Sequence, residues 1–210
     1  MVKTDHDAPR PATQAGYWDR LADDFDAEPD HGLADAATRA RWRDVLAAAL
    51  GPNPLTVLDI GCGTGTLSLL MDEMGHTVHG IDFSKRMVAA ARRKAAGRSG
   101  PTFSQGDAQQ PDPSLGPVDA LVCRHVLWAL PDPEAALAKW RALLHPGGRL
   151  VAIEGSWHTG AGLSMTACVK LVSARFGQVE TRDLVPQSGL WGGPVSDERY
   201  LVSARAGGRR

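Results

Sequence analysis

The sequence predicts a doubly wound α/β fold with a seven-stranded, mostly parallel sheet and a C-terminal antiparallel hairpin. Two observations carry this. From Thr56 to Ile153, short apolar runs rich in β-branched residues alternate with helical patterns, the spacing of βαβ units with helices on both faces. The last two strand-like runs, Gln178 to Val185 and Glu198 to Ala204, are joined by a Gly- and Trp-containing loop rather than a helix. They read as a hairpin on the sheet edge.

Each element follows from local signals. Residues 1–14 are polar and aperiodic and read as a disordered tail, leaving 15–206 as a single domain. Tyr17, Trp18, Leu21 and Phe25 repeat at helical spacing, and Pro29-Asp30-His31-Gly32 breaks the pattern. A second helix spans Asp35 to Leu50, with Trp42, Val45, Leu46 and Leu50 on one face and Gly51-Pro52 ending it. Strands follow at Thr56–Ile60, Thr77–Ile81, Thr102–Ser104, Val118–Cys123 and Leu150–Ile153. Between them lie helices from Thr66 to Met74, from Ser84 to Ala96 and from Pro133 to Leu144. Ser84 and Asp132 serve as N-caps, and Pro133 occupies a first turn. His145-Pro146-Gly147-Gly148 forms a turn into the fifth strand, and Leu163 to Phe176 is helical.

Composition narrows the function. A chain of 210 residues, 43% of them hydrophobic, closes one good core. With a net charge of -1 and charges spread evenly, no basic face argues for nucleic acid. Cys62, Cys123 and Cys168 are far apart, which suits a reducing compartment and argues against disulfides or a zinc site. Met1 to Ala15 lacks an apolar signal stretch, and no run approaches membrane-spanning length. A cytoplasmic protein, monomer or homodimer, with no bound metal is expected.

The chemistry is concentrated at Asp59-Ile60-Gly61-Cys62-Gly63-Thr64-Gly65, where a strand turns into a helix through three glycines. Such a turn presents backbone N–H groups and lets a ligand touch the main chain. A dinucleotide fingerprint would place its third glycine where Thr66 stands, which argues against a nicotinamide-dependent oxidoreductase. Asp82 closes the second strand, where a carboxylate accepts both hydroxyl hydrogens of a ribose. A nucleoside without phosphate fits both facts.

These residues resemble motif I of the class I S-adenosylmethionine-dependent methyltransferases. The resemblance continues in order through Gly80-Ile81-Asp82-Phe83-Ser84-Lys85-Arg86-Met87, Gln105-Gly106-Asp107-Ala108, Val118 to His125, and His145 to Leu150. It covers about residue 15 to 205, and the subgroup looks like the small-molecule enzymes of ubiquinone/menaquinone biosynthesis. It implies S-adenosylmethionine as cofactor and S-adenosylhomocysteine as product, with Gly61, Gly63 and Gly65 meeting the methionine part. Asp59 and Cys62 belong to that loop. Asp82 would bind the ribose, with Ser84 beside it, while Phe83 and Met87 flank the adenine. Asp107 would accept the adenine amino group, next to Gly106 and the Ala108 N–H. Cys123 and Arg124 would offer backbone to the methionine amine, and Tyr17 would close over the methionine end. On the residues alone, Asp107 also reads as a turn residue, Phe83 and Met87 as core, and Tyr17 as a staple for its helix. A non-catalytic binding protein on the same scaffold is the other reading.

Methyl transfer is an in-line displacement that depends on alignment, water exclusion and, for some acceptors, a base. The catalytic candidates are His125, just beyond the fourth strand, and His31, between helices expected to lid the site over 15–50; His158 is a third. Trp18, Trp128, Trp157 and Trp191 are placed to line an acceptor pocket, whereas Trp42 and Trp140 read as core. The short segment after the fifth strand leaves no room for a large cap. That favours a small molecule or the end of a peptide as acceptor; O- or N-methylation of a specialised metabolite is expected, with C-methylation left open.

Overall fold

A computed structural model describes residues 14–207; the expected tail lies outside them apart from Gln14. Its helices are α1 (Ala15–Leu21), α2 (Pro29–Gly32), α3 (Ala36–Leu50), α4 (Thr66–Glu73), α5 (Lys85–Lys94), α6 (Pro133–Ala142) and α7 (Met165–Ser173). The strands are β1 (Thr56–Ile60), β2 (Thr77–Asp82), β3 (Thr102–Gln105), β4 (Val118–Arg124), β5 (Leu144–Ser156), β6 (Gly177–Asp183) and β7 (Glu198–Arg205). The seven strands form one sheet in the order β3-β2-β1-β4-β5-β7-β6. β1 to β5 pair in parallel, and β7 runs antiparallel to both β5 and β6.

The expected hairpin is therefore real, but only β6 is at the edge. β7 inserts between β5 and β6, and the side chains explain why. Tyr200, Leu201, Val202 and Ala204 bury both faces of β7, whereas Glu180, Thr181, Arg182 and Asp183 leave β6 exposed. A polar strand with charged side chains is suited to an edge.

Local signals account for most boundaries. Ser84 caps α5 by accepting the Met87 N–H, and Asp132 caps α6 by accepting from Ala135. Asp35 does the same for Thr38 at the start of α3. The helix expected from Tyr17 to Phe25 stops at Leu21; a 3-10 turn at Phe25–Ala27 follows, and the polar break is itself the single turn α2. The His145–Gly148 turn is a bulge within β5, since Val118 pairs with Leu144 and Ala120 next pairs with Arg149.

α6 and α7 cover one face of the sheet, with Trp140 and Cys168 fully buried there. α3 and α4 cover the other, around Trp42, Leu46 and Leu70. Trp42 and Trp140 are thus core, and each indole N–H finds a backbone carbonyl, at Leu190 (3.0 Å) and Ala108 (2.7 Å).

Gly65 shows why the loop before α4 requires glycine. Its φ is +79°, and a Cβ there would lie 2.7 Å from Phe103 and 2.9 Å from Ala91. Gly65→Ala is expected to destabilise the fold by about 2–4 kcal/mol, combining left-handed strain with overpacking. An unchanged denaturant midpoint would contradict that packing role.

Candidate active site

A cavity of about 600 Å³ opens at the carboxyl ends of the parallel strands, where open α/β sheets bind ligands. Its floor is the glycine loop after β1, and its walls come from the ends of β2 and β4 and the loops after β3 and β5.

The loop and Asp82 build each other. One Asp82 oxygen accepts the Gly63 N–H and the other the Ser84 N–H, both at 2.9 Å. Burial raises the Asp82 carboxyl to about 6 against these bonds, which favour its charge. Asp59 is equally enclosed: burial raises it to about 6, opposed by the Ser68 hydroxyl it accepts and by the Arg124 charge. Gly61 lies under the β4–α6 loop, where a Cβ would come within 2.4 Å of Val126. Beside them, Phe83, Met87, Gly106, Asp107 and Ala108 line one end of the cavity. One Asp107 oxygen accepts the Gln109 N–H at 2.8 Å, a turn contact that leaves the residue at the cavity wall.

The other end is aromatic. Trp18, Phe25 and His31 come from the N-terminal segment, His125 and Trp128 from the β4–α6 loop, and Trp157 from beyond β5. Phe25 stacks on His31 with centroids 4.2 Å apart, and Trp157 meets His125 edge-on at 5.0 Å. His125 is left-handed, with φ +59°, an uncommon state for a non-glycine residue. Its N–H donates to Ile153 (2.8 Å), and its carbonyl accepts the Trp128 indole N–H (2.9 Å). Burial, then the charges of Arg124, His31 and Arg199, hold the His125 imidazole well below its ordinary pKa, so it is neutral at pH 7.

Glu154 holds this loop from below. One of its oxygens accepts the N–H groups of both Val126 (2.9 Å) and Leu127 (2.7 Å). The side chain is fully buried, and burial pushes its carboxyl up to about 8.

The N-terminal segment is fastened by carboxylates. Asp19 accepts from the Ser84 hydroxyl and the Arg86 N–H, and Asp23 pairs with Arg86. Asp26 pairs with Lys94 at 2.7 Å and accepts from Thr64. Lys94 in turn donates to the hydroxyls of Thr64 (3.0 Å) and Thr66 (2.8 Å).

Several expected site residues are elsewhere. Gly65 packs against Phe103 and Ala91, Ser84 is occupied as a cap, and the Cys123 side chain is buried in the core; none lines the cavity. Tyr17 is also off the wall, and its neighbour Trp18 takes that place, because the helical turn carries the larger ring inward. Trp191 packs on Trp42 and donates to Leu184, and His158 is exposed beside Ser196, so neither lines the cavity. Sequence reasoning missed Arg199 and Glu154. Because β7 is reversed, its first residues come level with the last of β5, with Arg199 opposite Gly155, and Arg199 joins the cavity lining. No cluster of three or more His, Cys, Asp or Glu able to hold a metal occurs among the described residues.

A seven-stranded sheet with a reversed β7 and a cavity over a glycine loop defines the Rossmann-like methyltransferase fold. Residues 58–152 match the family model of a methyltransferase domain. In this match and in its fold the chain is similar to the class I S-adenosylmethionine-dependent methyltransferases. It is 32% identical over 136 residues to a ubiquinone biosynthesis O-methyltransferase of Pseudomonas paraeruginosa, covering 64% of this chain and 55% of that protein. It is 34% identical over 151 residues to a demethylmenaquinone methyltransferase of Renibacterium salmoninarum, covering 71% and 62%. The matches thus span less than two thirds of these relatives' own lengths. The crystal structure of the N-methyltransferase NodS from Bradyrhizobium japonicum with S-adenosyl-L-homocysteine shares the fold, with TM-score 0.69, 22% identity, and 90% of this chain and 97% of that one covered.

Proposed function

We propose that this protein transfers a methyl group from S-adenosylmethionine to an oxygen or nitrogen of a small molecule, a specialised metabolite. The carrying observation is the division of one cavity at the glycine loop. One end offers a strand-end carboxylate, bare backbone and two apolar side chains; the other offers aromatic walls around a neutral histidine. That donor set fits a nucleoside sulfonium. Asp82 can accept ribose hydroxyls with its remaining lone pairs, Phe83 and Met87 can sandwich a base, and Gly106, Asp107 and Ala108 present polar groups to its edge. Gly61, Cys62 and Gly63 admit a methionine chain, with Asp59 and Arg124 beside its charged end. When bound, the cofactor would supply an electrophilic methyl carbon open to in-line attack, with its thioether as the leaving group.

The protein's own part is positioning. His125, neutral and at the junction of the two ends, can accept a proton from the acceptor, while His31 faces it from the N-terminal segment. That segment, residues 15–50, acts as a lid, with Trp18 and Phe25 excluding water. The size of the cavity supports a small acceptor, and the O-methylation named for one relative supports oxygen. Three free cysteines suit a reducing, cytoplasmic setting. Among the described residues, no helix is long and apolar enough to cross a membrane.

Calorimetry tests the reading. S-adenosylhomocysteine is expected to bind and NAD to give no heat; the reverse pattern would sink the proposal.

A further inference from the structure

The turn that carries His125 is held from outside by one side chain. His125 is left-handed (φ +59°), and Val126 after it is right-handed (φ −114°, ψ −47°). A left-handed residue followed by a right-handed one points successive N–H groups at a common spot, a concavity that suits an anionic oxygen. Glu154 Oε1 occupies it, accepting from Val126 at 2.9 Å and from Leu127 at 2.7 Å. The other anchors are main-chain or local. The His125 N–H donates to the Ile153 carbonyl at 2.8 Å, and the His125 carbonyl accepts the Trp128 indole N–H at 2.9 Å. The second Glu154 oxygen is buried with no hydrogen-bond partner among the described residues, so the carboxyl serves this turn alone.

What the turn carries is functional surface. His125 and Val126 both line the cavity. Val126 also presses on the glycine loop: a Cβ on Gly61 would lie 2.4 Å from its Cγ2. One turn thus sets the imidazole at the acceptor end and the side chain that roofs the donor loop. The charges that bear on His125 are those of Arg124, His31 and Arg199, and Glu154 is not one of them. The influence of Glu154 on the imidazole therefore runs through backbone geometry.

We propose that Glu154 is a positioning residue for methyl transfer: by fixing the Val126 and Leu127 N–H groups it keeps the His125 imidazole at the cavity wall and Val126 against Gly61. This rests on the reading of the cavity as a methyl-transfer site. The contacts need an oxygen at the right reach rather than a charge. Glutamine keeps that reach, aspartate falls one methylene short, and alanine has no acceptor.

The test follows the His125 imidazole by NMR in the full chain with labelled histidine, its signal identified by its loss in His125→Asn. In the unmodified protein it is expected to titrate well below the ordinary imidazole range. Glu154→Gln should match it. Glu154→Asp and Glu154→Ala release the turn, admit water to the ring and should raise its titration midpoint by about one pH unit or more, a roughly tenfold gain in proton affinity. Where Glu154→Ala does not fold, Glu154→Asp carries the comparison. A residue that served stability alone would lower the urea midpoint of these variants and leave the folded-state titration where it was. That outcome, a displaced titration in Glu154→Gln, or an ordinary one in the unmodified protein would overturn the proposal. Failure of S-adenosylhomocysteine to bind the unmodified protein would instead strike the methyl-transfer reading, leaving the hold of Glu154 on His125 intact.

Discussion

Asp82→Ala is expected to weaken S-adenosylhomocysteine binding by roughly 10- to 100-fold, the loss of about 1.5–3 kcal/mol of hydrogen bonding to a charged group. Two losses combine. The variant removes the acceptor proposed for the ribose, and it frees the Gly63 and Ser84 N–H groups that the carboxylate now holds at 2.9 Å. Asp82→Asn should recover little, because its NH2 would face one of those donors. The same carboxyl sets a pH dependence. Burial raises it to about 6, so lowering the pH through that value protonates it and removes its capacity to accept bonds on both oxygens. Affinity is expected to hold from pH 7 upward and to fall below about 6. Calorimetry across that range checks it, and a flat profile with full affinity in Asp82→Ala would remove Asp82 from the cofactor site.

The second large effect is on stability. Glu154 has its carboxyl raised from 4.5 to about 8 by burial, only partly offset by the Val126 and Leu127 N–H groups. Between those pH values the folded chain keeps a proton that the unfolded chain releases. Stability is therefore greatest near pH 4.5 on this account and falls as pH rises, by about 1.4 kcal/mol per unit, levelling off above 8. The group alone can thus remove several kcal/mol across the window. Glu154→Gln mimics the protonated form, keeping an oxygen for Val126 and Leu127 without the titration. Its urea midpoint is expected to stay level between pH 5 and 8 relative to the unmodified protein's decline, so that the variant is the more stable at pH 8. Glu154→Ala leaves two buried N–H groups without an acceptor and is expected to cost roughly 2–5 kcal/mol. Parallel pH profiles for Glu154→Gln and the unmodified protein would show that Glu154 does not titrate in this way.

Both residues sit at strand ends, yet only one was legible in the sequence. Asp82 stands out because it follows an apolar strand and precedes Ser84, a recognisable cap. Glu154 follows an equally apolar strand, but nothing local distinguishes a carboxylate facing solvent from one reaching under a neighbouring loop. Its partners are 28 and 27 residues away. The alternation of strands and helices was readable for the same reason as Asp82: caps, glycines and apolar runs act within a few residues of themselves. The insertion of β7 between β5 and β6 is a long-range choice, and the sequence reading placed the hairpin at the edge without ordering its two strands. That insertion is also what brings Arg199 to the cavity, so missing the first entailed missing the second. Tyr17 and Trp18 differ by one position on a helix, about 100° of rotation, and the boundary of α1 was not fixed closely enough to choose between them.

Lys94 has a role that extends past its own ion pair. It joins Asp26, on the segment over the aromatic chamber, to Thr64 and Thr66, on the loop that would meet the methyl donor. A ligand that shifts the loop must also shift the anchor of the segment above it, and thermodynamic reciprocity makes the influence run equally in the other direction. Through Lys94, the position of the N-terminal segment and the position of the glycine loop are two readouts of one set of contacts.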